Sequence, residues 1–161
     1  MNPLLHLRLL SSEPLADAQA QALFSSAEAL RRSDEAGSVK PSLRGRNIAL
    51  LCDDPSCQAA ALFEKAATQL GARVARLPSD PALLRQNGDG RQTARLLGRL
   101  YDAVECDEMP PDAAERLQRE AGVPVFRGIA RVDHPLQKAR PPGLDPAYLT
   151  QALLLATLGG E

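Results

Sequence analysis

Between Arg44 and Gly71 the chain reads RGRNIALLCDDPSCQAAALFEKAATQLG, and that run admits few folds. The apolar segment Asn47 to Cys52 predicts a strand buried on both faces. Asp53-Asp54-Pro55 is a turn. A helix is expected from Ser56 to Gly71, with the glycine supplying the left-handed position after the last turn. A buried strand followed at once by a helix is the repeating unit of parallel sheets. Its strand end and helix start meet where free backbone N–H groups and the positive helix end form a cradle for anions. The residues in that cradle are Ser56, Cys57, Gln58, Ala59 and Ala60, with no cation and no glycine-rich loop.

The same alternation runs through the rest of the chain. Ser12 precedes a predicted helix over 13–32, with Pro14 in its first turn and Leu15, Ala22, Ala29 and Leu30 at helical spacing. Residues 33–42 are a polar loop. The helix from Ser56 is expected to bury Ala61, Leu62, Ala66 and Leu70. A second strand spans 72–77, and a long connection, PSDPALLRQNGDGR, follows at 78–91. Then come a helix at 92–101 with Ala94, Leu97 and Leu100 as its apolar row, a strand at 102–106, a helix at 112–121 closed by Gly122, and a strand at 123–127. After a break at 138–144, Asp145 caps a final helix with Pro146 in its first position and Gly159 past its end. Leu149, Ala152, Leu153, Ala156 and Leu158 make that helix strongly apolar, so it is expected to dock on the core. The predicted class is α/β, a parallel four-stranded sheet with helices on both faces, in a single domain over 1–161.

Composition excludes several functions. A net charge of -1 offers no electrostatic footing for nucleic acid or an anionic membrane. The apolar start, MNPLLHLRLL, is too short and too interrupted to span a bilayer. Three cysteines, Cys52, Cys57 and Cys106, suit a reducing compartment, and a soluble cytoplasmic protein is expected. No GxGxxG, GxxxxGK[ST] or GxSxG is present, so no cofactor is expected. No metal site is expected either, because the two histidines are far apart and no CxxC pair occurs.

Three constellations remain. Ser56-Cys57 reads as a helix cap or, alternatively, as an anion site or reactive thiol, opposed in both roles by Asp53 and Asp54. His134 and Gln137 lie three residues apart, where a helical turn would let both donate to a carbonyl or amide group; a His-Pro pair before a helix is also a common structural turn. Asp102, Glu105, Asp107 and Glu108, around the end of the third strand, read as a solvated acidic loop or as a site for a cation or amine.

The order of motifs is specific where each alone is not. LRGRNIALL (43–51), FEKAATQLGARV (63–74), TARLLGRLYD (93–102), AGVPVFRG (121–128) and HPLQ (134–137) together resemble the carbamoyl-phosphate-binding domain of the aspartate and ornithine carbamoyltransferases, the ornithine branch most closely. In that family the chain passes into a second, amino-acid-binding domain after HPxQ, and its last helix returns to the first. The resemblance implies that residues 138–144 stand in place of the second domain and that 145–159 is the returning helix.

The resemblance also assigns roles. The family's phosphate loop, Ser-Thr-Arg-Thr-Arg, falls on Ser56, Cys57, Gln58, Ala59 and Ala60, so only the serine matches. A further arginine falls at Asp107, and a lysine that reaches a neighbouring subunit's site falls near Asn87. The His and Gln that hold the carbamoyl group match His134 and Gln137. Two lost charge-assisted contacts correspond to about 3–6 kcal/mol, on the order of 10²–10⁴ in affinity. No residue is therefore assigned a catalytic role. The reading is a catalytically degenerate carbamoyltransferase-like domain serving in binding, assembly or regulation. It would form a homotrimer or associate with a full-length carbamoyltransferase. Two alternatives are carbamoyl transfer with a partner chain, and sensing of a small neutral or cationic ligand.

Overall fold

The computed structural model describes residues 17–159. Four strands, β1 (Asn47–Leu51), β2 (Arg73–Leu77), β3 (Ala103–Cys106) and β4 (Val125–Arg127), form one all-parallel sheet in the order β2-β1-β3-β4. Among the described residues six α-helices accompany them: α1 (Asp17–Glu35), α2 (Gln58–Gln69), α3 (Arg91–Leu100), α4 (Pro111–Ala121), α5 (Pro135–Lys138) and α6 (Pro146–Leu158).

Alternation along the strands builds two cores. Ile48 and Leu50 of β1 point into a layer with Phe24 and Ala27 of α1, Phe63 and Ala67 of α2, and Leu149 and Leu153 of α6. Ala49 and Leu51 point the other way, towards Ala94 and Leu97 of α3 and Ala114 and Leu117 of α4. The predicted class is the observed one. On the second face α3 and α4 meet backbone to side: a Cβ on Gly98 would sit 1.9 Å from the Ala121 carbonyl oxygen, so only glycine permits this crossing.

The sheet order has a functional consequence. From β1 the chain moves outward to β2 through α2 on one face, then returns past β1 to β3 and on to β4 through helices on the other. The direction reverses between β1 and β3. In open parallel sheets the crevice beyond the strand ends at such a reversal is where ligands bind.

The final helix docks as expected, held by polar as well as apolar groups. Gln151, buried, donates through Nε2 to the Ala66 carbonyl (3.1 Å) and to Gln69 Oε1 (2.9 Å). Tyr148 donates to Asp34 Oδ2 of α1 (2.6 Å). Asp145 caps the helix through the amide of Ala147.

Helix faces are where the sequence expectations miss. Ala22 and Ala29 of α1 are exposed, and its core face is Leu23, Phe24 and Ala27. In α2 the exposed Ala61 gives way to Ala60, Phe63, Ala66 and Ala67. Leu100 of α3 is 58% exposed. In alanine-rich helices the apolar stripe has little contrast, so its centre is set by the large side chains. The expected cap at Ser12, with Pro14 and Leu15, lies outside the described residues.

Candidate functional site

The carboxyl ends of β1, β3 and β4 converge on a crevice lined by Ala59 and Ala60 of α2, Glu105 and Asp107 of β3 and its exit, and Gly128 and Ala130 after β4. Its enclosed volume is about 10 Å³, room for roughly one water.

One wall is the start of α2. Ser56 was expected to cap this helix, but the helix begins two residues later and Cys57 holds the cap position without a side-chain bond. Ser56 is exposed, and both its amide (2.9 Å) and hydroxyl (2.7 Å) donate to Asp54 Oδ1. The pair of aspartates after β1 wins the competition for it, because an Asp side chain closes a turn on the amide two residues on. Asp53 Oδ1 likewise accepts from the Ser79 amide (2.8 Å). Gln58 is exposed, Ala59 half-buried and Ala60 buried. Cys57 Sγ lies 3.4 Å from Asp107 Oδ2.

The floor corrects the reading of the acidic cluster. Glu105 is no part of a solvated loop: it is 2% exposed, on a strand whose four residues are all buried. Its two oxygens accept from the amides of Gly128 (2.6 Å) and Ile129 (3.3 Å). Burial pushes its carboxyl up to about 8, against the two amides, with Asp107 adding to the rise. Gly128 has φ +63, and a Cβ there would meet Arg131 Cδ at 2.6 Å and the Asp107 carbonyl at 3.1 Å. Glycine lets the chain turn over Glu105 and hand it two donors. Asp102 instead accepts from the Asn47 amide (2.8 Å) at the sheet's other end, and Glu108 is exposed.

The other wall is residues 128–137. His134 caps α5, its Nδ1 accepting from the Leu136 amide (3.2 Å). The ring proton therefore sits on Nε2. Burial, with Arg127 nearby, lowers the imidazole to about 4, against a smaller opposing pull from Asp133. Gln137, 2% exposed, was expected to share a ligand-facing surface with His134. Instead its Nε2 donates to Ile129 O (3.0 Å), Pro146 O (3.3 Å) and Thr150 Oγ1 (3.1 Å), while Oε1 accepts from Arg140 Nη1 (3.0 Å). It ties α6 to the sheet. Arg131 forks onto Asp133 (2.9 and 3.1 Å) and reaches Glu108 (3.2 Å) and, more distantly, Asp107 (3.5 Å). Asn87 sits in the loop before α3, its side chain exchanging bonds with Asp89.

Sequence reasoning missed Glu105 as an anchor and both Cys52 and Arg131 as neighbours of the crevice. A lone acid inside the otherwise apolar strand AVEC was the available signal for the first. The others depend on their approach to Asp107, a residue distant from both in sequence.

Residues 8–139 match the family described as aspartate/ornithine carbamoyltransferase, carbamoyl-P binding domain. A catabolic ornithine carbamoyltransferase of Burkholderia mallei is 36% identical over 115 residues, which is 71% of this chain and 34% of that protein. The ornithine carbamoyltransferase structure from Pyrococcus furiosus superposes with a TM-score of 0.60 at 26% identity, over 69% of this chain and 36% of the other. Ligand-free aspartate transcarbamoylase from Trypanosoma cruzi gives a TM-score of 0.59 at 26% identity, over 70% and 35%. The chain thus spans about a third of the length of the relatives it matches. No helix among the described residues is long and apolar enough to cross a membrane.

Proposed function

The chain belongs to the aspartate/ornithine carbamoyltransferase family through its carbamoyl-phosphate-binding domain, and from that premise we propose that it is a catalytically degenerate member serving in binding, assembly or regulation. The observation that carries this reading is the crevice itself. It offers about 10 Å³, is floored by Glu105 and Asp107, and is fronted by Ala59 and Ala60. A dianionic phosphoryl group needs preorganised positive charge and donors where its own charge sits. Here it would meet two carboxyl groups and two methyls.

On the same reading, residues 138–144, from the end of α5 to the start of α6, take the place of the relatives' second domain. The chain assembles through its α3 face as a trimer or with a full-length carbamoyltransferase. Leu96 and Leu100, one helical turn apart on α3 and 53% and 58% exposed, support an apolar contact there.

The deciding experiment is carbamoyl transfer to ornithine and to aspartate by purified protein, alongside calorimetry with carbamoyl phosphate. No turnover and no heat of binding at millimolar ligand are expected. Turnover lost in His134→Ala would overturn the proposal. Size-exclusion chromatography with light scattering tests the assembly, and a monomer at micromolar concentration together with no co-purifying carbamoyltransferase would overturn it.

A further inference from the structure

The side chains beside the crevice that family membership does not explain are two thiols and a carboxylate. Cys52 leaves the end of β1, Cys57 caps α2, and Asp107 follows β3. They therefore meet at the point where the sheet reverses direction. One ligand atom from each, Sγ, Sγ and a carboxylate oxygen, lies within 4.8 Å of the other two. We propose that Cys52, Cys57 and Asp107 form a binding site for a thiophilic divalent cation, Zn²⁺ by its ligand set, with a fourth position open to water or an anionic oxygen.

The geometry fits without large movement. Zinc takes sulfur at about 2.3 Å and oxygen at about 2.0–2.2 Å, so the edges of its tetrahedron are about 3.5–3.8 Å. Cys57 Sγ and Asp107 Oδ2 are already 3.4 Å apart. The two cysteines are joined by Asp53-Asp54-Pro55-Ser56, a turn pinned by Asp54 onto Ser56 and by Asp53 onto the Ser79 amide. A pinned loop reduces the ordering cost of binding. Two thiolates select a soft cation over Mg²⁺ or Ca²⁺.

Charge also balances. Two thiolates and a carboxylate exceed the cation by one negative charge. Arg131 Nη1, 3.5 Å from Asp107 Oδ2, and the positive end of α2 offset it. Arg131 spends its fork on Asp133, so Asp107 is not consumed by it. All three ligand residues are half-buried, which leaves an entry path. Cys52 donates to the Asp54 carbonyl (3.2 Å), and burial raises its thiol; the cation displaces that proton, so binding strengthens as pH rises. Three ligands and one open position is the arrangement of metal sites that act on a bound molecule rather than only brace a fold. The site stands whether or not the chain transfers carbamoyl groups.

The test is titration of the chelator-stripped, reduced full chain with Co²⁺. One equivalent should bring sulfur-to-cobalt charge-transfer bands and the intense visible bands of a tetrahedral site, and Zn²⁺ should bleach them. Cys52→Ser and Cys57→Ser should each weaken binding by more than about tenfold and cut the charge-transfer intensity. Asp107→Asn should weaken it about tenfold while leaving the sulfur bands. Cys106→Ala, whose thiol lies buried in the second core, should bind as the parent does. Folded parent protein without thiolate bands, or bands that survive undiminished in folded Cys57→Ser, would overturn the proposal.

Discussion

The wall formed by residues 128–137 and the wall formed by residues 52–60 flank one crevice, yet they are held together in different ways. On the first, polar side chains are built into the fold. Gln137 satisfies Ile129, Pro146, Thr150 and Arg140, His134 caps a helix, and Glu105 binds two amides from beneath. On the second, the side-chain bonds are made by exposed or half-buried groups: Ser56 donates to Asp54, Asp53 accepts from the Ser79 amide, and Cys57 makes no capping bond and donates to Asp107. A residue that braces the fold cannot change cheaply, whereas one that would serve only a ligand can. His134 and Gln137, the residues that the sequence resemblance singled out, both lie on the braced wall, and their presence follows from folding as readily as from ligand binding.

The comparison breaks most easily at Gln137. Gln137→Ala leaves buried carbonyl and hydroxyl partners without donors, and a loss of about 3 kcal/mol is expected in urea unfolding. A loss below about 0.5 kcal/mol, the size of an ordinary surface change, would show that this wall is not braced as described.

Glu105 sharpens it through pH. Its folded value, about 8, lies above its ordinary 4.5, so the folded state holds an extra proton between the two. Its contribution is complete below pH 4.5 and is lost as pH rises to about 8. Glu105→Gln should remove that decline from a pH series of unfolding midpoints, while lowering stability in acid, where the protonated parent is most stable, because an amide NH₂ would face one of the two backbone donors. An unchanged pH slope in the variant would place the titration elsewhere.

His134 has the opposite sign and a smaller span. Its folded value of about 4 lies below the ordinary 6.5, so stability is complete above pH 6.5 and falls as pH drops to about 4. His134→Asn keeps an acceptor for the Leu136 amide and removes the titration. The variant should lose the acid-side decline with little change at neutral pH. Between about pH 4.5 and 6.5 the two groups oppose each other, so the parent profile should be flatter there than either variant's.

Most of the fold was legible because it rests on local pattern. The run from Asn47 to Gly71 and the repeats after it specify strand, turn and helix in order, and Asp145-Pro146 marks the last helix start. What was not legible rests on contacts between distant residues. Nothing near Gln137 in sequence announces Thr150 as its partner, and nothing near Cys57 announces Asp107. Glu105 was grouped with its acidic neighbours because strand ends and loops share a composition, and only the turn at Gly128 over it reveals its burial.

The smallest expected effect lies on the unbraced wall and runs upward. Cys57 occupies the cap position of α2 with φ -63 and ψ 117 and makes no capping bond, its thiol donating instead to Asp107 Oδ2 (3.4 Å). Serine is among the preferred capping residues because its oxygen accepts from the helix's free amides, which a thiol does poorly. Cys57→Ser should therefore stabilise the cation-free protein by about 0.5 kcal/mol, measured by urea unfolding in the presence of a chelator. A destabilisation of about 1 kcal/mol or more would mean that Cys57 already braces this wall through its contact with Asp107, and the contrast between the two walls would fail. The expected gain also separates two effects of one substitution. A variant that folds better in chelator but no longer gains stability from added Zn²⁺ has lost a ligand rather than a structure.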